Sequence, residues 1–321
     1  MKKLICVMLT ILMIASLFAG CGTAADDGVY KIAIVQQLDH ASLNEIRTAI
    51  EAELDKIAAE KGIAIEYKDF NGQNDSTVLN QIGAQVVSDG YDAIIPIATT
   101  AAQCMVTAAE GTEIPIIYAA VSDPEAAGLT GMATVSGVSD ALNTPFILDM
   151  MLAVQPEVKT VGLLYSSSEP NSAAPIAEAK AYLDGKGIAY LEKTGNSTDE
   201  IVNAANAMVG RVDAVFTPTD NVVMTAEAAV AEILNEAGIP HYTGADSFVQ
   251  AGAFTTCGVN YTELGQKVAQ MTVDVLTGGK VPTDFVVMDG GIITVNTATA
   301  QKVGVDYAPF SDMANTVVEV Q

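Results

Sequence analysis

The sequence predicts an α/β protein with two similar lobes, each a doubly wound parallel sheet, and a cleft between them. Three observations favour this fold. Short β-branched runs alternate with longer amphipathic stretches, as they do in parallel βαβ units. Three segments of the first half recur in the same order in the second half. The chain of 321 residues also exceeds what one hydrophobic core usually serves.

The first half reads as strands and helices in alternation. Strands are predicted at residues 32–35, 63–67, 92–97 and 114–119, and helices at 42–61, 76–88 and 99–110. The series then restarts. Strands are predicted at 160–164, 188–192, 214–216 and 240–243, and helices at 174–186, 198–209 and 222–237.

Internal self-similarity indicates that one lobe is written twice. "KGIAIEYKDFNGQNDST" at 61–77 resembles "KGIAYLEKTGNSTDE" at 186–200, and "YDAIIPIATT" at 91–100 resembles "VDAVFTPTDN" at 212–221. "EIPIIYAAVSD" at 113–123 resembles "GIPHYTGADS" at 238–247. The offsets are 125, 121 and 125 residues, so order and spacing are both kept.

The chain after Phe254 is too short to form a third domain. A helix at 261–277 and a strand at 292–295 are expected to complete the two sheets, so that three crossovers between the lobes form a hinge. We therefore expect one lobe at residues 30–144 and 252–282, and the other at 145–251 and 283–321. Ligands of doubly wound sheets bind beyond the carboxyl ends of the strands, so facing lobes would line one cleft.

The first twenty residues are typical of a secretory signal. Lys2 and Lys3 precede an apolar stretch that is too short and wrongly flanked for a spanning helix. Cys21 follows two small residues, where a lipoprotein signal places the thiol that is diacylated. We expect residues 1–20 to be removed, Cys21 to carry the lipid and residues 21–29 to form a flexible tether. An ordinary signal cleaved nearby, with Cys21 a spare thiol, is the alternative.

Charge and residue usage exclude several classes of protein. The chain has 15 basic and 39 acidic residues, so neither nucleic acid nor an anionic membrane surface is an expected partner. No later stretch is apolar and long enough to cross a bilayer, which leaves the lipid as the membrane attachment. Cys104 and Cys257 are too few for a disulfide framework or a zinc site, and whether they pair is open. With only His40 and His241 as histidines, the sequence predicts neither a metal nor a cofactor.

Several segments together resemble a known family. "KIAIVQQLDH", "PIATTAAQ", "YAAVSDPEAAGL", "GLLYSSSEPNS", "TPTDN", "GADSFVQAGAF" and "GVNYTELGQ" resemble the tryptophan/tyrosine-type substrate-binding lipoproteins of ABC transporters. The resemblance runs from about Lys31 to Val303. It implies a type I periplasmic-binding-protein fold and delivery of an aromatic amino acid or similar small molecule to a permease. We expect a lipid-anchored monomer at the cell surface, with the permease and its ATPase as separate chains.

An amino-acid ligand needs donors for its carboxylate, a buried acid for its ammonium group and an apolar wall. Thr99 and Thr100 stand where a predicted strand ends and a helix begins, so NH groups, a hydroxyl and the positive helix end meet there. Both threonines could also serve only as helix caps. The equivalent place in the second half holds three more candidates: Thr219, Asp220 and Asn221.

Asp220 and Asp246 both lie at strand ends, and we expect at least one of them to contact the ligand ammonium. Asp220 could instead only cap a helix, and Asp246 could only form a turn. Polar residues after the first strand of each half are expected to complete the hydrogen-bond shell: Gln37, Asp39, Ser167, Asn171 and Ser172.

Two tyrosines are candidates for stacking on an aromatic ligand. Tyr165 is the first and Tyr118 the second, although either could belong to the core. Ser122 and Asp123 follow the fourth predicted strand and are further candidates for ligand contact. Asp123 could instead serve only to form the turn.

Three competing hypotheses remain beside transport of an amino acid. A surface enzyme is disfavoured because there is no GxSxG elbow, no histidine beside a serine at a strand end and no carboxylate pair with an evident role. A ligand-sensing lipoprotein for a membrane signalling receptor would use the same fold. A nucleoside or another small molecule could replace the amino acid, and a sugar is least expected because the chain has no Trp.

Overall fold

The structure, a computed structural model, describes residues 28–321, and its first sheet is built mainly from the first half of the chain. The strands are β1 (Val29–Gln36), β2 (Ala64–Asn71), β3 (Ala93–Ile97), β4 (Ile116–Ala119), β5 (Val135–Ser139) and the late strand β11 (Val286–Val287). They lie in the order β11-β5-β4-β3-β1-β2, and all pair in parallel. Four helices belong to this lobe: α1 (Ala41–Lys61), α2 (Ser76–Asp89), α3 (Thr99–Ala108) and α9 (Tyr261–Leu276).

The second sheet has seven strands. They are β6 (Thr160–Tyr165), β7 (Ala189–Thr194), β8 (Ala214–Thr217), β9 (His241–Thr243), β10 (Thr255–Gly258), β12 (Ile292–Asn296) and β13 (Thr316–Val320). They lie in the order β13-β12-β10-β9-β8-β6-β7, and β12 runs antiparallel to β10.

The helices of the second lobe are α4 (Thr144–Val154), α5 (Pro170–Lys186), α6 (Thr198–Asn206), α7 (Asn221–Glu236), α8 (Asp246–Gln250) and α10 (Thr297–Val303). A 3-10 helix spans Ala308–Asp312. The prediction of two doubly wound α/β lobes is confirmed.

Local sequence explains why the elements form where they do. In β1, the run from Ile32 to Val35 is fully buried, as expected of a central strand with helices on both faces. The edge strand β2 is partly exposed along its length. Helix α2 begins at Asp75, whose carboxylate accepts hydrogen bonds from the backbone NH groups of Thr77 and Val78. It ends at Gly90, which has a φ of 70° in the left-handed region that favours glycine.

The chain crosses between the lobes three times, at residues 140–143, 259–260 and 288–291. The predicted lobe boundaries need two corrections. Strand β10, expected in the first lobe, pairs with β9 in the second sheet, so the second crossover falls after Gly258. Strand β11, expected in the second lobe, pairs with β5 in the first sheet. Both strands are too short to show a clear pattern in the sequence.

The two lobes are closed against each other. One buried apolar cluster contains residues of both, including Ile34 and Leu43 of the first lobe and Val223 and Phe248 of the second. This continuity brings the carboxyl ends of the strands of one lobe opposite those of the other.

The predicted signal peptide at 1–20, Cys21 and most of the tether lie outside the described residues. From residue 28 onward, no helix has both the length and the apolar character needed to cross a membrane. Cys104 in α3 and Cys257 in β10 are both free thiols.

Candidate functional site

A cavity lies between the lobes, at the carboxyl ends of the strands. Its volume is about 20 Å³, which is room for about one water molecule. Six of the predicted site residues line it: Thr99, Ser122, Asn171, Thr219, Asp220 and Asn221. Four polar residues that the sequence analysis did not propose line it too: His40, Ser42, Asp140 and Tyr261. Apolar side chains complete the wall: Leu43, Ala98, Ala120, Met224, Ala245 and Phe248.

In the first lobe, the backbone beside the cavity is strained. Ala98, just after β3, has φ 78° and ψ 161°, and Ala120, just after β4, has φ 52°. Conformations of this kind cost a non-glycine residue about 1–3 kcal/mol and are concentrated at functional sites. Ala98 directly precedes α3, and no side chain caps the start of this helix. Both strained residues line the cavity.

The two threonines at the start of α3 differ in their surroundings. Thr99 is 3% exposed, and its hydroxyl has no hydrogen-bond partner within residues 28–321. The backbone NH of Thr100 donates to Gln37 Oε1 over 3.3 Å, and Thr100 does not line the cavity. A buried hydroxyl without a partner is costly, so Thr99 is available to a bound molecule.

Asp220 is fully buried, and its carboxylate is occupied within the second lobe. Oδ1 accepts from the backbone NH of Val223 over 2.9 Å and so caps α7. Oδ2 accepts from the Ser166 NH and the Ser172 hydroxyl, each over 2.7 Å. Burial raises the pKa of Asp220, whereas these three donors oppose the rise. Ser172, predicted to contact the ligand, instead holds this carboxylate in place.

Asn171 presents a free acceptor to the cavity. Its Nδ2 donates to the backbone carbonyl of Thr219 over 2.7 Å, which fixes the orientation of the amide. Its Oδ1 is buried and has no partner in the described part of the chain. Like the hydroxyl of Thr99, this oxygen is available to a ligand.

Polar contacts join the two lobes around the cavity. Gln37 Nε2 donates to Glu169 Oε1 over 2.9 Å, and His40 Nε2 lies 2.9 Å from Asn221 Oδ1. The hydroxyls of Ser42 and Ser247 are in hydrogen-bond contact. The predicted polar shell therefore supplies lobe-to-lobe contacts as well as cavity wall.

Glu169 is the centre of this contact and was missed in the sequence. Besides the amide of Gln37, it accepts from Asn221 Nδ2 through Oε2 over 2.6 Å. Burial first, and then the nearby charge of Asp220, raise the pKa of Glu169 to about 7. No local pattern indicates this role for Glu169, because its partners come from both lobes.

Asp140 is a second buried acid that the sequence analysis missed. It follows β5, a strand that the hydrophobic pattern did not reveal, and it is 5% exposed. Its Oδ1 accepts from the Ser122 hydroxyl over 2.9 Å, and its Oδ2 accepts from the Tyr261 hydroxyl over 3.1 Å. Burial raises the pKa of Asp140. Ser122 also lies 3.2 Å from the Thr219 hydroxyl of the opposite lobe.

Several predicted site residues lie away from the cavity. Asp39 and Ser167 are exposed. Asp123 accepts from the Ala126 NH over 2.9 Å and forms a turn. Asp246 is the first residue of α8 and accepts from Gln250 through Oδ2 over 3.3 Å. The cavity wall includes none of these four residues: Asp39, Ser167, Asp123 and Asp246.

The two tyrosines predicted to stack on the ligand also point elsewhere. Tyr118 is fully buried in the core of the first lobe, where Gly137 leaves room for its ring because a Cβ at that position would collide with it. Tyr165 is half-buried, and its hydroxyl donates to Glu192 Oε2 over 2.8 Å. The aromatic ring that does line the cavity is that of Phe248, together with the ring of Tyr261.

A larger cavity of about 670 Å³ lies beside the three crossovers. Asp140 and Tyr261 form part of the wall of both cavities. This pair of residues therefore separates the cleft from the hinge. No group of three or more residues suited to holding a metal ion occurs within residues 28–321.

Comparison with known proteins identifies relatives along most of the chain. A family profile described as ABC transporter substrate binding protein matches residues 31–312. A "Tyrosine-binding protein" of Clostridioides difficile is 31% identical over 255 residues, which make up 78% of this chain and 73% of the relative.

Two solved structures have similar sequence identity to this chain but agree with its structure to different degrees. An ABC domain in complex with L-Trp from Streptococcus pneumonia is 30% identical, with a TM-score of 0.82 over 90% of this chain and 99% of the other. A ligand-free, open substrate-binding protein with adhesive properties from Clostridium difficile is 31% identical, with a TM-score of 0.67 over 91% and 100%. The overall backbone agreement is therefore higher with the L-Trp complex.

Proposed function

The chain belongs to the family of ABC transporter substrate-binding proteins, and we propose that the molecule it captures is an aromatic amino acid. The family resemblance seen in the sequence is confirmed. Proteins of this family work outside the cytoplasm, bind a small molecule and pass it to a membrane permease. The chain is accordingly a binding protein and not an enzyme.

The observation that carries the proposal is the composition of the interlobe cavity. Its wall contains the hydroxyl of Thr99, which stands at an uncapped helix start and has no hydrogen-bond partner in the part of the chain that the structure describes. The wall also contains buried carboxylates and an apolar surface that includes Leu43 and Phe248. These are the groups that a carboxylate, an ammonium and an apolar side chain require. The names of the two relatives, a tyrosine-binding protein and an L-Trp complex, support an aromatic side chain.

Binding must be accompanied by movement of the lobes. Small-molecule pockets usually measure about 300–1,000 Å³, and the cavity of about 20 Å³ is far smaller. An aromatic amino acid enters only if the lobes separate, and it is then enclosed as they approach again. The three crossovers supply the hinge for this motion, because they are the covalent connections between the lobes.

The same proposal includes attachment to the membrane by lipid. The signal at residues 1–20 and the position of Cys21 support diacylation of the Cys21 thiol, with a monomeric binding unit beyond a short tether. Val29, expected in the tether, is the first residue of β1, so the proposed tether is residues 21–28. Replacement of Cys21 by serine is expected to move the protein from the membrane fraction to the medium or periplasm. Unchanged membrane association of the Cys21→Ser variant would contradict lipid anchoring.

The binding proposal is tested by calorimetric titration of residues 22–321 with L-tyrosine, L-tryptophan, L-leucine and uridine. We expect one of the two aromatic amino acids to bind most tightly and, at 100 times its Kd, to add about 2.7 kcal/mol to the unfolding free energy. Small-angle scattering should show a smaller radius of gyration at saturation. Tight binding of uridine with no binding of either aromatic amino acid would replace the proposed ligand by a nucleoside.

A further inference from the structure

Asp140 is a buried carboxylate that has no positively charged partner within residues 28–321. It is 5% exposed, and both hydrogen bonds that it accepts come from neutral hydroxyls, those of Ser122 and Tyr261. None of the ion pairs formed within residues 28–321 includes it. A buried anion is costly unless it is paired, so this carboxylate is suited to receiving a cation.

The other two buried acids beside the cleft are better compensated. Asp220 accepts three hydrogen bonds, two of them from backbone NH groups, and stands at the positive end of α7. Glu169 accepts from the side-chain amides of Gln37 and Asn221. Asp140 has fewer and weaker donors than Asp220 and, unlike Glu169, it lines the cavity.

We propose that Asp140 is the receptor for the ammonium group of the ligand. This inference rests on the proposed function, because it assumes a ligand with an amine. It places the ammonium site at the end of β5 in the first lobe, whereas the sequence pattern predicted Asp220 or Asp246 of the second. The ligand carboxylate would then lie toward Thr99, which lines the same small cavity.

The position of Asp140 also connects the ammonium site to the hinge. Asp140 lies in the first crossover, directly after β5, and Tyr261 is the first residue of α9, directly after the second crossover. Ser122 joins Asp140 to Thr219 of the opposite lobe through successive hydroxyl contacts. An ammonium group held at Asp140 would therefore stabilise the region where two crossovers and both lobes meet.

The test uses paired ligands on the protein spanning residues 22–321. One is L-tyrosine or L-tryptophan, whichever the wild-type protein binds more tightly, and the other is the same molecule without its amine. We expect Asp140→Asn to weaken binding of the amino acid by about 30-fold or more, the effect of removing one partner from a buried charge pair. The affinity for the amine-free analogue should stay the same or increase.

Two further variants make the result specific. Asp89→Asn removes an equal charge from an exposed position at the end of α2 and should bind both ligands like the wild type. Tyr261→Phe removes one of the two hydroxyl donors from Asp140, and it should change the affinity for the amino acid more than the affinity for the analogue. If Asp140→Asn does not fold, as judged by circular dichroism, the comparison of the two ligands on Tyr261→Phe decides whether Asp140 receives the ammonium group.

The possible outcomes separate the two proposals. If the wild type binds neither aromatic amino acid, the proposed function is wrong, and this inference falls with it. If the wild type binds one of them and Asp140→Asn binds it equally well, only the assignment of Asp140 is wrong. Equal losses for the amino acid and the amine-free analogue would likewise overturn it, since they would reveal a purely structural role.

Discussion

Glu169 supports a pH-dependent prediction, because it is a buried acid at the contact between the lobes. It is 4% exposed and accepts hydrogen bonds from Gln37 of the first lobe and Asn221 of the second. Burial and the charge of Asp220 raise its pKa from 4.5 to about 7. The perturbation is Glu169→Gln, which keeps the shape of the side chain and removes its titration.

The sign of the effect follows from proton binding. Between about pH 4.5 and pH 7, folded Glu169 keeps a proton that the unfolded chain has released. Its contribution to stability is therefore fully present below pH 4.5 and is lost as the pH rises through about 7. Since a pKa difference of one unit corresponds to about 1.4 kcal/mol, the loss is of order 3 kcal/mol.

The assay is thermal unfolding of the wild type and Glu169→Gln from pH 4.5 to 8. Other buried acids such as Asp140 are present in both proteins, so the difference between the two melting temperatures reports Glu169 together with its interaction with Asp220. One kcal/mol shifts the melting temperature of a domain of 150–250 residues by roughly 2–4 °C, so the wild type should lose several degrees relative to the variant as the pH rises. The exposed Glu236→Gln serves as the control. A difference that is constant across this range would refute the reasoning.

Two further predictions concern stability and use matched pairs. Ala98→Gly should be neutral or stabilising in chemical denaturation, because glycine relieves about 1–3 kcal/mol of strain at φ 78°. Ala101→Gly, inside α3, should instead cost about 1 kcal/mol of unfolding free energy. Equal losses of stability in the two variants would contradict the strain at Ala98. Tyr118→Phe should be neutral or stabilising, since its buried hydroxyl has no partner within residues 28–321. Tyr242→Phe loses a hydrogen bond of 2.8 Å to Gln155 and should cost about 1 kcal/mol of unfolding free energy in the same assay. A larger loss of stability in Tyr118→Phe than in Tyr242→Phe would contradict this prediction.

The regular elements could be predicted because their patterns are local. The burial of β1 and the periodicity of α1 are visible in the sequence, and the repeated segments at 91–100 and 212–221 indicated two similar lobes. Short elements escaped detection. The hydrophobic run of β5 is interrupted by Ser136 and Gly137, and β10 has only four residues, so neither stood out from the loops around it.

The candidate site was predictable only in part, for a physical reason. Strand ends and helix starts can be located along the chain, and these positions identified Thr99, Asn171 and Asp220 as cavity residues. Which polar atoms remain free depends on partners that are distant in sequence. Gln37 and Glu169 are separated by 132 residues, and Tyr261 and Asp140 by 121. One sequence carries no sign of such pairs.

The two repeated helix starts have diverged in how they are capped. Helix α7 begins after Asp220, whose carboxylate caps it and already occupies its positive end. Helix α3 begins after Ala98, which has no side chain that can cap it, and the Thr99 hydroxyl beside it is buried and unpartnered. A ligand carboxylate is repelled by the Asp220 carboxylate at the start of α7 and attracted to the uncapped start of α3. We therefore expect one anion site rather than two in the duplicated fold, and a ligand side chain enclosed by Met224 and Phe248, which line the cavity from the second lobe.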